Sequence, residues 1–518
     1  MTFVGTAWSV APALLAVGLA IATHRVYLSL AAAVVAGALL MTNLQPVPAA
    51  HALLTHYLIA PFTGSDKLKL LAFTLVLGAT VGIMNASGGT RGMVGRLVRY
   101  ASTRARAQIM AGLGGLVIFF DDYANCLILG PTFLPVFDRL GLSREKLAYI
   151  VDSTGAADAS FALISTWIGF ELGLIGDALK TLPDPALASL SPYALFVTSI
   201  PYRFYLHLAT ALIFVIAILG RDFGPMLTAE RRALAARRHA RVRKEREAHW
   251  TVGTIPILLL VGLTVWELLS TGRAKLAADG RLAGAGLREI IGAADSYQSM
   301  LTASLASLLA ALALAAGPGG FRGRPLLHAI GQGTSIMLPP LVILILAWAL
   351  GDLCRDLKTG AWVGATLGAA TKPWMLSTAV FLIACVMSFA TGTSWGTMAV
   401  LMPVAVPLAY ASVTAAGLAP AAMQDHLMLT IAAVLAGAVF GDHCGLISDT
   451  TILAALSSKC PLYEHFRTQV PYAVLAALIT VAAGTLPSSL GVPWWVCLPV
   501  GMLLLVLAVR VIGRPVRA

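Results

Sequence analysis

Charge is scarce in this sequence. Asp, Glu, Lys and Arg make up only 12% of its 518 residues, where a soluble protein carries roughly a quarter. Hydrophobic residues reach 58% and the mean hydropathy is +0.83. That balance excludes an ordinary soluble enzyme and points to a chain that spends its length in a bilayer. Cysteine is sparse too: Cys126, Cys354, Cys385, Cys444, Cys460 and Cys497 lie scattered, with no pair at metal or redox spacing. A disulfide framework is therefore not expected. The first nine residues hold no Lys or Arg, so no cleavable signal peptide is expected and the first apolar run counts as a span. The net charge of +12 does not indicate nucleic acid, because no stretch interleaves basic residues with stacking aromatics on a soluble surface.

What is present is a series of long apolar runs, near 8–23, 26–43, 68–88, 191–220, 252–270, 297–317, 327–353, 470–490 and 494–512. Two more, 146–176 and 426–458, are interrupted by polar residues near their middles. Basic residues orient them, since Lys and Arg concentrate in cytoplasmic loops. One loop holds Arg91, Arg96, Arg99, Arg104 and Arg106; a second, 221–250, holds nine Arg and Lys, including Arg237, Arg238, Arg241, Arg243, Lys244 and Arg246. The tail, with Arg510, Arg514 and Arg517, joins them. This places the C-terminus in the cytoplasm and the N-terminus outside.

Residues 107–137 would make a helix of roughly 46 Å, too long for one perpendicular crossing and too short for two. Both flanks are basic, as expected of a re-entrant hairpin entering from the cytoplasm. Residues 374–410 read as a second hairpin entering from the opposite face; the loop after it, 411–425, has no Lys or Arg. The expected fold is thus an all-α polytopic membrane protein of about 11 transmembrane helices plus two opposed re-entrant hairpins. Two inverted-topology repeats with broken helices, 1–220 and 252–490, flank a basic connector, 221–251, and an extra helix and basic tail occupy 494–518. The whole forms one transport domain. Tyr123 and Pro131 match Trp395 and Pro403 at one offset, and Asp152, Gly155 and Leu163 match Asp442, Gly445 and Leu453 at another. Inverted repeats with interrupted helices mark secondary-transporter binding sites.

Four polar breaks interrupt the apolar pattern: 119–125 with Asp121, Asp122 and Asn125; 152–160 with Asp152, Ser153, Thr154, Asp158 and Ser160; 391–397 with Thr391, Thr393, Ser394 and Thr397; and 441–450 with Asp442, His443, Ser448, Asp449 and Thr450. Unwound backbone and Ser, Thr, Asn and Asp oxygens suit a small hard cation. A carboxylate inside a membrane is expensive and functional by default, whereas Ser or Thr in such helices often only bonds back to its own backbone. Burial disfavours a carboxylate's charge and a bound cation favours it, so one cluster can trade a proton for sodium. The sodium ligands expected are Asp121, Asp122, Asp152, Asp442 and Asp449. His443 beside Cys444 lacks a partner at zinc-ligand spacing and reads as a packed or hydrogen-bonded histidine, with proton relay as the lesser reading. Glu171 and Arg203 fall near the outer boundary, where snorkelling is the default.

At these breaks the chain resembles the NhaC-type sodium/proton antiporter family. The resemblance rests on FFDDYAN (119–125) with GPT (130–132), on SREKLAYIVDST (143–154) leading into ISTWIGFELGL (164–174), and on ATGTSWGT (390–397), GDHCGLISDTTI (441–452) and HFRTQVPYA (465–473). It runs over nearly the whole chain. It implies electrochemically driven cation/proton exchange in a bacterial inner membrane, with intramembrane carboxylates at the core, and leaves the substrate open; sodium-for-proton exchange is the leading expectation, with no cofactor. The chain departs from the family pattern at Gly445 and Leu446, where Ser and Pro are expected, and at Ala157 and Asp158. The alternative is a cation- or proton-coupled exchanger of a small organic acid or amino acid, held between the hairpin tips. A membrane hydrolase built on Ser153 or Ser394 with His443 lacks a nucleophile elbow. The expected partners are the lipid bilayer, Na+ and H+, with Li+ or an organic acid as other candidates, and a homodimer as one option for assembly.

Overall fold

The computed structural model describes residues 3–516 apart from 24, 60, 61, 63, 64, 237–249, 318, 319, 360, 361, 363–365, 367–370 and 447. The basic cluster from Arg237 to Arg246, and Arg517, lie outside the described residues. Helix dominates, as it must where lipid offers the backbone no hydrogen bonds. Among the described residues nine helices are long and apolar enough to cross a membrane, eleven when two bent pairs count as one span each. The chain is a multi-pass membrane protein.

One bent pair was not legible as such. Helix Val26–Met41 ends at Asn43 and Leu44, both with positive φ, and the chain resumes as Pro46–Ile59 at 118° to it. The proline that opens the second leg needs no amide hydrogen there. The other pair, Pro192–Tyr202 and Phe204–Leu219, bends by 47° at Arg203.

The first hairpin has arms Arg104–Val117 and Asp122–Leu140. The second has arms Pro373–Thr391 and Ser394–Ala415, of 19 and 22 residues, longer than the sequence reading allowed because helix continues past Tyr410. Its open end is tied by Ser412, whose hydroxyl donates to the Thr371 carbonyl at 2.7 Å. The second broken helix, Pro420–Cys444 and Asp449–Ser457, parts where expected. Gly441 lets it lie against the second hairpin: a Cβ there would meet Ser388 Oγ at 1.8 Å. Small residues at such crossings are how membrane helices approach closely.

The first broken helix corrects the expected position of its break. Asp152 through Ser160 all lie inside helix Arg144–Phe161, and the chain unwinds only afterwards, resuming as Ile168–Lys180. Tertiary partners take up the freed backbone. Ser165 donates to the Ala159 carbonyl at 2.6 Å and accepts from the Trp167 amide at 3.1 Å. The Thr166 amide donates to the Phe120 carbonyl at the first hairpin's tip, at 2.9 Å. The polar run therefore lines a helix face rather than forming the unwound segment itself.

Candidate functional site

Each hairpin tip is built by the same local device. Asp121 caps the second arm of the first hairpin, accepting the Ala124 amide at 2.6 Å; Thr393 caps that of the second, accepting the Gly396 amide at 3.3 Å. Such caps satisfy amides that a helix start leaves unpaired. Prolines follow at matching distances, Pro131 and Pro135 in one arm and Pro403 and Pro407 in the other. The tips meet at Trp167, in the unwound part of the first broken helix. Its ring lies 4.9 Å from Trp395 of the second hairpin, and its neighbour Thr166 is bonded to the first.

The two broken helices come together at Asp152 and Asp442. Thr451 bridges them: its one hydroxyl hydrogen is shared between Asp152 Oδ2, at 3.2 Å, and the Asp442 main-chain carbonyl. Asp152 Oδ2 further accepts from Gln469 Nε2 at 2.8 Å and meets His465 Nε2 at 3.3 Å. Both come from helix Leu462–Ile479, one turn apart. All the donors fall on one oxygen; Asp152 Oδ1 has no hydrogen-bond partner among the described residues.

Asp442 is bonded through Oδ1 to the Ser448 hydroxyl at 3.3 Å, while its Oδ2 is likewise unpartnered. Ser448 in turn lies 3.2 Å from Thr450 Oγ1, and Ser394 from the second hairpin's tip sits beside the Asp442 carboxylate. His443 meets Tyr205 Oη through Nδ1 at 2.9 Å, which agrees with a packed, hydrogen-bonded histidine. Around the first tip, Asp122 is buried and accepts its neighbour's amide through Oδ1, while its Oδ2 has no hydrogen-bond partner among the described residues. Tyr123 donates its hydroxyl to Asp449, which lies on the exposed side of the site. Asn125 donates to the Gly115 carbonyl at 3.2 Å and accepts from Thr154 at 3.4 Å.

Other expected residues stand apart. Thr391 bonds back to the Met387 carbonyl of its own helix, the ordinary structural role. Ser153 is buried next to Asp152. Asp158 is wholly buried, and neither of its oxygens has a hydrogen-bond partner among the described residues.

Glu171 and Arg203 overturn the snorkelling expectation. Both are fully buried and paired at 3.1 Å. Arg203 also donates to the Ser160 carbonyl, and Ser160 donates to Glu171 at 2.7 Å. The cluster closes the C-terminal end of the first half-helix, where unpaired carbonyls carry partial negative charge. Hydropathy put these residues at the boundary because it averages over neighbours and cannot see a partner more than thirty residues away. Thr451, His465 and Gln469 were missed as site residues for a related reason. The available signal was a His and a Gln four positions apart just before the apolar run 470–490, a spacing that puts both on one helix face.

Chemically, Asp122 interacts electrostatically with Asp121, Asp449 and Asp442, and Asp442 with Asp449 and Asp152. Among the described residues no three His, Cys, Asp or Glu side chains converge as ligands of one metal ion. The cluster offers instead single carboxylate oxygens among hydroxyls and unwound backbone. Its unpartnered acceptors suit a desolvated monovalent cation or a proton.

Comparison with known proteins identifies a transporter family. A profile of the Na+/H+ antiporter family covers residues 158–485, which takes in the second hairpin, the second broken helix, His465 and Gln469. An uncharacterised protein of Haemophilus influenzae is 30% identical over 489 residues, 92% of this chain and 90% of its own length. The malate-2H+/Na+-lactate antiporter of Bacillus subtilis is 27% identical over 226 residues, 38% of this chain and 44% of that protein. Among solved structures, the YdaH transporter of Alcanivorax borkumensis, with its unusual topology, superposes with a TM-score of 0.56 at 18% identity, covering 86% of this chain and 90% of that one. MtrF of Neisseria gonorrhoeae gives 0.52 at 17%, covering 84% and 83%. At such identities these two speak for the fold.

Proposed function

The chain belongs to the Na+/H+ antiporter family, and from that premise we propose that it exchanges sodium for protons by alternating access across a bacterial inner membrane. It is a transporter of the cation antiporter class rather than an enzyme. The observation that carries the proposal is the meeting of Asp152 and Asp442 through Thr451, each carboxylate keeping one buried oxygen without a hydrogen-bond partner among the described residues. Sodium and a proton compete for such oxygens, and occupancy by one excludes the other. Asp122 and Asp449 extend the cluster, with Asp449 on its exposed side; Asn125, Ser394, Ser448 and Thr450 supply neutral oxygens. Rocking of the two halves, 1–220 and 252–490, would open the cluster to each side in turn. The N-terminus lies outside, the C-terminal tail in the cytoplasm, and no cofactor takes part.

A second reading is cation-coupled exchange of a small organic acid. It is favoured by the name of the Bacillus subtilis relative, which carries sodium together with organic acids. The test for both is proton movement in reconstituted vesicles holding a preset pH gradient. Collapse of the gradient by sodium alone supports sodium/proton exchange. Collapse only when malate, lactate or a similar acid is also present supports the second reading.

A further inference from the structure

The way Asp152 is held differs from the way this protein holds Glu171, Glu230 and Asp138. Glu171 accepts Ser160 on one oxygen and Arg203 on the other. Glu230 accepts the amide and hydroxyl of Ser143 on Oε1 and Arg104 on Oε2. Asp138 takes Arg144 through both oxygens. An ionised carboxylate offers about four lone-pair sites across two oxygens; these three clamps divide their donors between them, whereas buried Asp222 takes both Lys146 and Tyr472 on Oδ1. At Asp152, Gln469, Thr451 and His465 all meet Oδ2, no Lys or Arg is among them, and Oδ1, at 0% exposure, has no hydrogen-bond partner among the described residues. Gln469 Oε1 is also buried without a partner among the described residues. The result is a fully enclosed set of acceptors with an orientation fixed from one side only.

We propose that Gln469 and Thr451 are positioning residues that grip Asp152 by one oxygen and so present the other to the transported cation. The inference rests on the cation-exchange reading above and deepens it. It adds two residues outside the four polar breaks and gives each a role. Gln469, from helix Leu462–Ile479, fixes the carboxylate plane. Thr451, from the second half of the second broken helix, couples that plane to the Asp442 backbone. Selectivity among ions depends on ligand number and on how rigidly ligands are held, so these two residues act on ion preference as well as affinity.

The test uses the full-length protein, both purified for calorimetric sodium binding and reconstituted for sodium-driven proton movement. Thr451→Val removes the hydroxyl at nearly constant shape, Gln469→Leu removes the amide, and Thr451→Ser restores the hydroxyl. Outer-shell residues of this kind change ion affinity by about 10- to 100-fold. Thr451→Val and Gln469→Leu are each expected to raise the KM for sodium at least tenfold, with a smaller change in Vmax, and to alter the sodium-to-lithium preference. Thr451→Ser is expected to return both values towards those of the parent. Unchanged KM and preference in both removal variants would overturn the proposal, as would loss of Vmax at constant KM. If the parent binds sodium but moves no protons, the exchange reading fails while the weakened binding of the variants still upholds the positioning role. A parent that binds no sodium defeats both.

Discussion

Tyr123 at the tip of the first hairpin donates its hydroxyl to Asp449, at the start of the second half of the second broken helix. The bond joins elements from the two halves of the chain on the exposed side of the carboxylate cluster. Removing the hydroxyl leaves the ring's packing and takes away only this link. Tyr123→Phe is expected to raise the KM for sodium about tenfold, whereas Asp449→Asn should abolish sodium-driven proton movement. Initial rates across a range of sodium concentrations check both.

Asp158 separates function from stability. Its two oxygens are buried without hydrogen-bond partners among the described residues, an arrangement that costs stability if the group is charged. Asp158→Asn should therefore leave Tm unchanged or raise it by about 2–4 °C; because a buried intramembrane carboxylate is functional by default, sodium-driven proton movement should drop at least tenfold even though Asp158 lies apart from the Asp152–Asp442 cluster. Thermal unfolding in detergent and transport on the same preparation decide it. A drop in Tm with transport intact would make Asp158 structural.

The Glu171–Arg203 pair should behave in the opposite way. Breaking a buried pair strands a charge and costs about 3–5 kcal/mol, while replacing both partners by apolar residues is far milder. Glu171→Leu and Arg203→Met are each expected to destabilise strongly, and the double variant to recover most of the loss. A double-mutant cycle on unfolding midpoints measures the coupling; additive losses would show that the two side chains act independently.

Gly441 tests the packing of the second broken helix. A Cβ at this position would lie 1.8 Å from Ser388 Oγ and 2.3 Å from the Ser388 carbonyl carbon. Gly441→Ala should cost about 1–3 kcal/mol through overpacking. Adding Ser388→Ala should restore only part, because the backbone clash remains. Tm of the single and double variants gives the answer.

Asp295 provides a pH signature outside the spans. It caps helix Ser296–Ala316, accepting the Gln298 amide and Lys69 Nζ, each at 3.0 Å. Burial pushes its pKa up, but these donors outweigh burial and hold it below the ordinary carboxylate value. A depressed carboxylate contributes stability above its unfolded pKa of about 4 and loses it as pH falls through the folded value. Asp295→Ala should cost about 1 kcal/mol near neutral pH through loss of the cap. The difference from the parent should shrink as pH drops below about 4. Unfolding midpoints measured between about pH 3 and 7 test this.

Much of the architecture was readable from the sequence alone. Low charge and long apolar runs dictate helices, because lipid leaves the backbone no other way to satisfy itself. Both hairpins and the second break were visible because Asp121, Asp122, Thr393 and Asp442 interrupt apolar stretches that would otherwise continue. The sequence also put Asp152 inside the membrane, where a carboxylate demands a reason.

Tertiary structure alone decided how these groups are used. The polar run from Asp152 to Ser160 stays helical, and the unwinding falls after it, because Ser165 within the unwound segment, and Arg203 and the Phe120 carbonyl from elsewhere in the fold, take up the freed backbone groups. Glu171 and Arg203 are sealed inside because they find each other, and Asp152 is gripped by residues some three hundred positions away. Local sequence sets the cost of placing a polar group in a membrane. Only the three-dimensional arrangement of partners sets whether that cost is cancelled by a clamp or left open for an ion.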